Sequence, residues 1–406
     1  MRKRKLIVPL AVLFLAAAFG WSWTQFGTAT PSPFVPTESE QEKLALFQQP
    51  EDWFFAHLQG PPEVIDGATL DPKLQYLAER MRPMGPWFER LMPAIFATPP
   101  GRRWVRDSID REWTLYTKIT APMRRIEDRE IPGRDGPVPV RLYWPQTNEP
   151  GPLPVLVYCH GGGWLFASVA ALDRAVRLLA NEARVIVLSV DYRRAPEHPY
   201  PAASDDGEDA YLWAIANATA LSGDPARVAV GGDSAGGHIS INTVQRQLAA
   251  GRPVPRALLL YYPGTGLPRG DRSMRLFARG YGLDASFIDF LLPRVFPGIS
   301  DHDQADALMD PLHMAASLRG FPPTIVATGG FDILRDSGRA FAARLAADGV
   351  PVADLRYGPL THSFLQFSGV VAEAERAANE TARLLGPTLR AGTLPPAPPA
   401  TGAATP

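Results

Sequence analysis

Eleven residues set the strongest limit on what this chain can fold into: Arg227-Val228-Ala229-Val230-Gly231-Gly232-Asp233-Ser234-Ala235-Gly236-Gly237. The first four read as a short apolar strand, the glycines as a sharp corner, and Ile239 to Ala250 as a helix. A serine at the tip of a strand–turn–helix corner must adopt a strained backbone that lifts its hydroxyl clear of the sheet. Gly232 and Gly236 flank it because a side chain there would strike a neighbouring strand or helix. The following helix aims its positive N-terminal end at the place where an oxyanion would form. Gly-x-Ser-x-Gly alone recurs by chance; in this setting it reads as a nucleophile elbow.

The flanking pattern alternates between β and α. Val138 to Trp144 alternates as a strand after an Asp135-Gly136 turn, and Leu153 to Cys159 is the unbroken apolar run of a buried parallel strand. Leu172 to Ala180 reads as a helix, Val185 to Val190 as a strand, and Asp205 to Ala216 as a helix. Beyond the elbow, Arg256 to Tyr262 and Pro323 to Thr328 are strands separated by a loop-rich insertion. Arg335 to Asp348 is a helix, Val352 to Tyr357 a strand, and His362 to Leu385 a closing helix. Such alternation gives an α/β fold: a mostly parallel central sheet with helices on both faces. Ligands of such sheets sit beyond the carboxyl ends of the strands.

Three of those ends carry chemistry. Cys159 is followed by His160-Gly161-Gly162-Gly163-Trp164, where bare glycines can present backbone N–H groups to a substrate. With the N–H of Ala235, Gly162 and Gly163 would form an oxyanion hole. His160 belongs to this turn and is expected to hold it. After Thr328 comes Gly329-Gly330-Phe331-Asp332, and Asp332 is the carboxylate nearest the strand end; Asp336 is expected to serve the next helix. After Tyr357, His362 lies on the loop that can reach both Ser234 and Asp332. Ser234, Asp332 and His362 are therefore the candidate nucleophile, acid and base. His57, His198, His238, His302 and His313 occupy no strand end that would complete a triad. Trp164, Phe166, Phe331 and Phe364 flank the catalytic residues in sequence and are expected to line the substrate pocket.

The 406 residues carry a net charge of −1, which argues against nucleic acid as a partner, since a basic surplus would be expected. The single cysteine, Cys159, excludes an intramolecular disulfide, and no Cys/His cluster suggests zinc. Arg2 to Lys5 form a basic cluster ahead of an apolar run from Leu6 to Trp23. Residues 1–23 read either as a signal peptide, with Ala16-Ala17-Ala18 at the cleavage site, or as an uncleaved N-terminal membrane anchor. Both readings place the body outside the cytoplasm, periplasmic or secreted. Residues 24–36 read as a linker, and 37–122 as a helical, aromatic-rich region that is either a lid or simply helices packed on the main domain.

Together these pieces make the chain identifiable. It resembles the hormone-sensitive-lipase-like branch of the α/β-hydrolases, which includes many bacterial carboxylesterases. The resemblance is carried by His160 to Trp164, Asp191-Tyr192-Arg193-Arg194-Ala195-Pro196-Glu197-His198-Pro199, Gly232 to Gly237, Asp310-Pro311-Leu312, Phe331 to Asp336, and His362. It implies an α/β-hydrolase domain over 123–386 and a helical N-terminal cap before it; residues 387–406 read from their Pro/Ala-rich composition as a disordered tail. It further implies a serine carboxylesterase that works through an acyl-enzyme without metal or organic cofactor; the aromatic residues flanking the site make a confined apolar pocket, which favours short- to medium-chain or aromatic esters. An amidase or deacetylase would use the same triad. A hormone-binding receptor of this branch would lack a triad member, and none is missing here. Two positions depart from the family pattern: Ser363 stands where glycine usually follows the histidine, and His238 where asparagine is common.

Overall fold

The computed structural model describes residues 34–120, 122–266, 270–298 and 317–395. The segment expected to be a signal peptide or anchor, most of the expected linker, the Asp310-Pro311-Leu312 motif and the end of the expected tail lie outside them. Eight strands form one sheet: β1 Arg125–Gly133, β2 Gly136–Trp144, β3 Leu153–Cys159, β4 Ile186–Val190, β5 Gly223–Asp233, β6 Leu258–Tyr261, β7 Thr324–Phe331 and β8 Val352–Thr361. Their order across the sheet is β8-β7-β6-β5-β3-β4-β2-β1, and β2 alone runs against the others. In β3 and β4 nearly every residue is buried, as both faces of a parallel sheet are covered.

Twelve helices are seen among the described residues. Five precede the sheet: α1 Glu38–Phe47, α2 Glu51–Ala56, α3 Pro72–Met81, α4 Gly85–Phe96 and α5 Pro99–Tyr116. Within and after the sheet come α6 Asp173–Ala183, α7 Ala202–Asn217, α8 Ala235–Ala249, α9 Arg272–Leu276, α10 Ala285–Val295, α11 Arg335–Ala347 and α12 Ala372–Ala391. Helix α6 packs on α12, and α7 on α8, as two helical layers over the strands. No helix among the described residues is long and apolar enough to cross a membrane.

The cap is held to the catalytic body by charge as well as by apolar contact. Asp71 caps α3 by accepting from the Lys73 N–H at 2.9 Å, with Pro72 in the first turn. From α5, the Arg106 guanidinium donates to the carbonyls of Leu165 (2.8 Å) and Ala195 (2.9 Å). Arg102 and Arg106 also pair with Glu197 at 2.7 and 2.8 Å. Partial burial raises the Glu197 carboxyl, but Arg106 and Arg102 outweigh it and hold the group down at about 2. The acidic residue of the Arg194-Ala195-Pro196-Glu197 stretch is thus the clamp for α5.

Of the segment limits that differ from those expected, four are described. Helix α8 begins at Ala235, directly behind the serine, because Gly236 and Gly237 are accepted in its first turn where neighbouring backbone leaves no room for side chains. Strand β7 continues through Gly329 and Gly330 to Phe331, so Asp332 immediately follows it. The segment after His362 is a tight turn at Phe364–Phe367, and the closing helix starts only at Ala372. That helix runs through Pro387 to Ala391, five residues into the stretch expected to be disordered. Burial of Leu385 and Leu389 on the same side offsets the backbone hydrogen bond lost at Pro387.

Candidate active site

Ser234 sits at the carboxyl end of the central strand β5 with φ 52° and ψ −117°, a strained conformation for a residue with a side chain. Its N–H donates to the Tyr261 carbonyl (3.0 Å), and its carbonyl accepts from the Gly264 N–H (2.9 Å). A Cβ on Gly232 would stand 2.3 Å from the Cys159 oxygen, and one on Gly236 only 1.9 Å from it. Both glycines are therefore required by the close passage of β3, as the elbow pattern implied. Ser234 is partly accessible while its neighbours on both sides are buried.

β7 and β8 bring the other two groups. The Ser234 hydroxyl lies 3.0 Å from His362 Nε2, and His362 Nδ1 lies 2.8 Å from Asp332 Oδ2. The carboxylate accepts at Nδ1, so that nitrogen carries the hydrogen and Nε2 faces the serine as an acceptor. Asp332 is held in turn by the Leu334 N–H at 2.8 Å. Asp332 and His362 are both buried. Asp336 faces away, paired with Arg335 (2.7 Å) and accepting from the Ser273 N–H (2.7 Å).

Gly162 and Gly163 have φ of +109° and +60°, conformations open to glycine at little cost. Among the described residues, neither N–H donates to a backbone carbonyl or a side chain, so both can serve a ligand. His160 is buried, stacked on Tyr192 at 4.3 Å, with Nδ1 2.7 Å from the Gly161 oxygen. It belongs to the turn. The Tyr192 hydroxyl braces the same turn by donating to the His160 carbonyl at 2.8 Å.

One residue that holds this turn was not singled out from the sequence. Asp233, fully buried, accepts from the Gly161 N–H at 2.9 Å and from the Tyr158 hydroxyl at 2.8 Å. Its other oxygen lies 3.4 Å from both the Tyr262 hydroxyl and Gln366 Nε2. Burial pushes its carboxyl up, against the hydrogen bonds that favour the charged form. Asp233 thus ties the elbow, the glycine turn and the loop after His362 together. Replacing it with alanine frees the glycine turn and strands buried donors. We expect Asp233→Ala to lower kcat by about 10²-fold, comparable to removing one oxyanion donor, with KM changed less than about threefold. Steady-state kinetics on one ester checks this; unchanged kcat would mean that the turn holds itself.

The four aromatic pocket candidates divide. Trp164 is buried with its ring edge-on to His238 at 5.3 Å, and His238 lies inside α8, one turn beyond the serine. Phe166 meets Phe96 of α4 (5.1 Å) and Phe287 of α10 (5.6 Å). Phe331 and Phe364 are corrections: both are fully buried in the packing rather than facing a pocket. Phe331 lies against Phe277 and Tyr281, and Phe364 against Tyr261, Tyr262 and Tyr357 behind the histidine. Sequence neighbours of a catalytic residue point to the opposite side of a strand or turn as readily as to its own. In their place stands α10, a helix inside the insertion expected to be loop-rich. A Cβ on Gly163 would meet the Phe287 ring at 3.1 Å and Leu291 at 3.5 Å. The helical spacing of Phe287, Ile288, Leu291, Leu292 and Val295 was the available signal.

Ser363 takes a left-handed conformation, φ 59°, which explains why glycine suits this position. We expect Ser363→Gly to keep turnover within about twofold and to leave stability unchanged or raise it by up to about 1 kcal/mol. Urea unfolding measures this, and a loss above that size would mean that the serine side chain contributes stability.

Among the described residues no three His, Cys, Asp or Glu side chains are grouped to hold a metal ion. Residues 156–366 match the family model of the alpha/beta hydrolase fold. The chain belongs to the α/β-hydrolase family. Within this family, the chain falls in the hormone-sensitive-lipase-like branch. This α/β-hydrolase is 39% identical over 329 residues to the carboxylic ester hydrolase LipN of Mycobacterium tuberculosis, covering 79% of the chain and 84% of LipN. It is 42% identical over 263 residues to the carboxylesterase NlhH of the same organism, covering 63% and 80%. Among solved structures it is similar to the ester hydrolase EH1AB1 from the metagenome of Lake Arreo, with a TM-score of 0.68 and 32% identity over 76% of this chain and 99% of that one.

Proposed function

We propose that this α/β-hydrolase is a serine carboxylesterase in which Ser234 is the nucleophile, His362 the general base and acid, and Asp332 the residue that orients His362. The observation that carries the reading is the continuous hydrogen-bond chain from Ser234 Oγ through His362 to Asp332, at 3.0 and 2.8 Å. His362 Nε2 takes the hydroxyl proton as Oγ attacks the ester carbonyl, and Asp332 stabilises the imidazolium that forms. The N–H groups of Gly162, Gly163 and Ala235 receive the oxyanion, each worth ~3 kcal/mol in such sites. His362 then gives the proton to the leaving alcohol. Water, deprotonated by the same imidazole, attacks the acyl-enzyme and releases the acid. These steps require only the chain's own residues.

Phe287, partly accessible beside Gly163 and backed by the buried Phe166, supports short to medium acyl chains or aromatic esters, which bury flat apolar surface without needing a long channel. The basic cluster Arg2 to Lys5 ahead of the apolar run Leu6 to Trp23 supports a place outside the cytoplasm. The test is a ladder of p-nitrophenyl esters from acetyl to palmitoyl. Turnover that peaks at short to medium acyl length supports the reading; a folded protein inert on every rung contradicts it.

A further inference from the structure

The glycine turn runs into a strained segment. Gly162, Gly163, Trp164 and Ala167 all have positive φ, and Trp164 (57°) and Ala167 (63°) carry side chains that disfavour it. Such backbone persists only where its surroundings over-determine it. Inside the turn, the Gly162 carbonyl accepts from the N–H groups of Leu165 (3.2 Å) and Phe166 (2.9 Å). Other ties come from outside. The Trp164 carbonyl accepts from the Ala195 N–H (3.0 Å), the Leu165 carbonyl from Arg106 (2.8 Å), and the Ala167 carbonyl from the Arg194 guanidinium. The Ser168 hydroxyl donates to Asp110 Oδ2 at 2.5 Å.

Arg106 and Asp110 stand four residues apart on one side of α5, so the cap supplies two of these holders. Helix α5 is a firm base for them. Its Val105, Leu115 and Tyr116 are buried, and Arg174 of α6 donates to the Thr114 carbonyl at 2.7 Å. The held segment reaches the oxyanion donors by direct contact. A Cβ on Gly162 would stand 2.3 Å from the Phe166 oxygen and 3.1 Å from the Ala167 Cβ. The Gly162 backbone therefore rests on the two residues that precede Ser168, and a shift at Ser168 is passed to it.

We propose that Asp110 is a positioning residue for the oxyanion hole: through Ser168 it fixes the backbone that aims the N–H groups of Gly162 and Gly163. The cap then contributes to the chemical step, beyond packing on the catalytic body. The inference rests on the esterase reading above, which gives the oxyanion to those donors.

The experiment uses the full chain and p-nitrophenyl acetate. Asp110→Ala lowers kcat about tenfold or more with KM within about threefold, because a misaimed oxyanion donor costs somewhat less than the ~10²-fold of a deleted one. Ser168→Ala gives a similar loss, and the double variant loses no more than either single one, as the two ends of one bond must. Asp110→Asn, whose amide oxygen still accepts from the serine, recovers kcat to within about threefold. Arg111→Ala unties α5 from Glu40 of α1 without touching the turn, and leaves kcat within about threefold. Trifluoroacetophenone accepts Ser234 Oγ at its carbonyl carbon, leaves the hydroxyl proton on His362 and places an oxyanion in the hole. Its Ki rises by the factor by which kcat/KM falls. Independently of turnover, hydrogen exchange over residues 160–171 speeds up about tenfold or more in Asp110→Ala.

A kcat within threefold of wild type in Asp110→Ala overturns the proposal. So does a loss carried wholly by KM, losses that multiply in the double variant, or an equal loss in Arg111→Ala. If Asp110→Ala does not fold, an unchanged kcat in Ser168→Ala is enough to overturn it. A wild-type protein inert on the ester would sink the esterase reading, while unchanged exchange in Asp110→Ala or Ser168→Ala would separately show that Asp110 does not hold the turn.

Discussion

Ser234→Ala abolishes ester turnover, with kcat expected to fall by about 10⁶-fold, the size seen when a serine nucleophile is removed from a complete triad. The substitution deletes the one oxygen that can form the acyl bond. It leaves the elbow untouched, because the strained backbone is fixed by main-chain bonds to Tyr261 and Gly264 rather than by the hydroxyl. The variant therefore folds as the wild type does, and relief of the φ 52° conformation is no larger with alanine than with serine. Residual activity of the order of 10³-fold over water is expected from the glycine-turn donors alone. The check pairs the rate on a p-nitrophenyl ester with thermal unfolding of both proteins. Turnover within tenfold of wild type would mean that the hydroxyl is not the nucleophile.

Asp332→Asn is expected to lower kcat by about 10⁴-fold at neutral pH with little change in KM. The asparagine can turn its amide nitrogen toward His362 Nδ1, which then must accept, so Nε2 carries the hydrogen and faces Ser234 as a donor. General-base action is lost although all three side chains keep their positions. The Leu334 N–H can still be satisfied by the amide oxygen, so folding is retained. Asp336→Asn is the matched control, since that carboxylate serves Arg335 and Ser273; it leaves kcat within about threefold. Equal losses in the two variants would overturn the assignment of the acid.

The residues the sequence made legible are those whose chemistry demands a particular backbone. Gly232 and Gly236 announced the elbow because only glycine fits against Cys159. The glycine triplet after β3 announced free N–H groups, and the order serine, aspartate, histidine followed from which strand each residue ends. What stayed hidden depends on three-dimensional packing. Asp233 looked like a spacer in the elbow, and its burial between Gly161, Tyr158 and Gln366 depends on partners from two distant segments. Phe364 follows the histidine by two residues yet points into the core, because the left-handed turn at Ser363 swings the chain over. Helix α10 lay inside an insertion rich in glycine and proline, where turn signals masked a short apolar repeat. The end of α12 was hidden by Pro387, a helix breaker outweighed by the burial around it.

The acyl-type bond proposed at Ser234 can be trapped with a phosphate ester. Diethyl p-nitrophenyl phosphate transfers its diethylphosphoryl group to an activated serine and releases p-nitrophenolate, leaving a stable phosphoester at the same oxygen that an acyl group would occupy. One diethylphosphoryl group per chain is expected, located by peptide mass spectrometry on Ser234, appearing at the rate at which esterase activity disappears, and absent from Ser234→Ala. Esterase activity that survives full exposure to the reagent, or that is lost with the label on another residue, would contradict it.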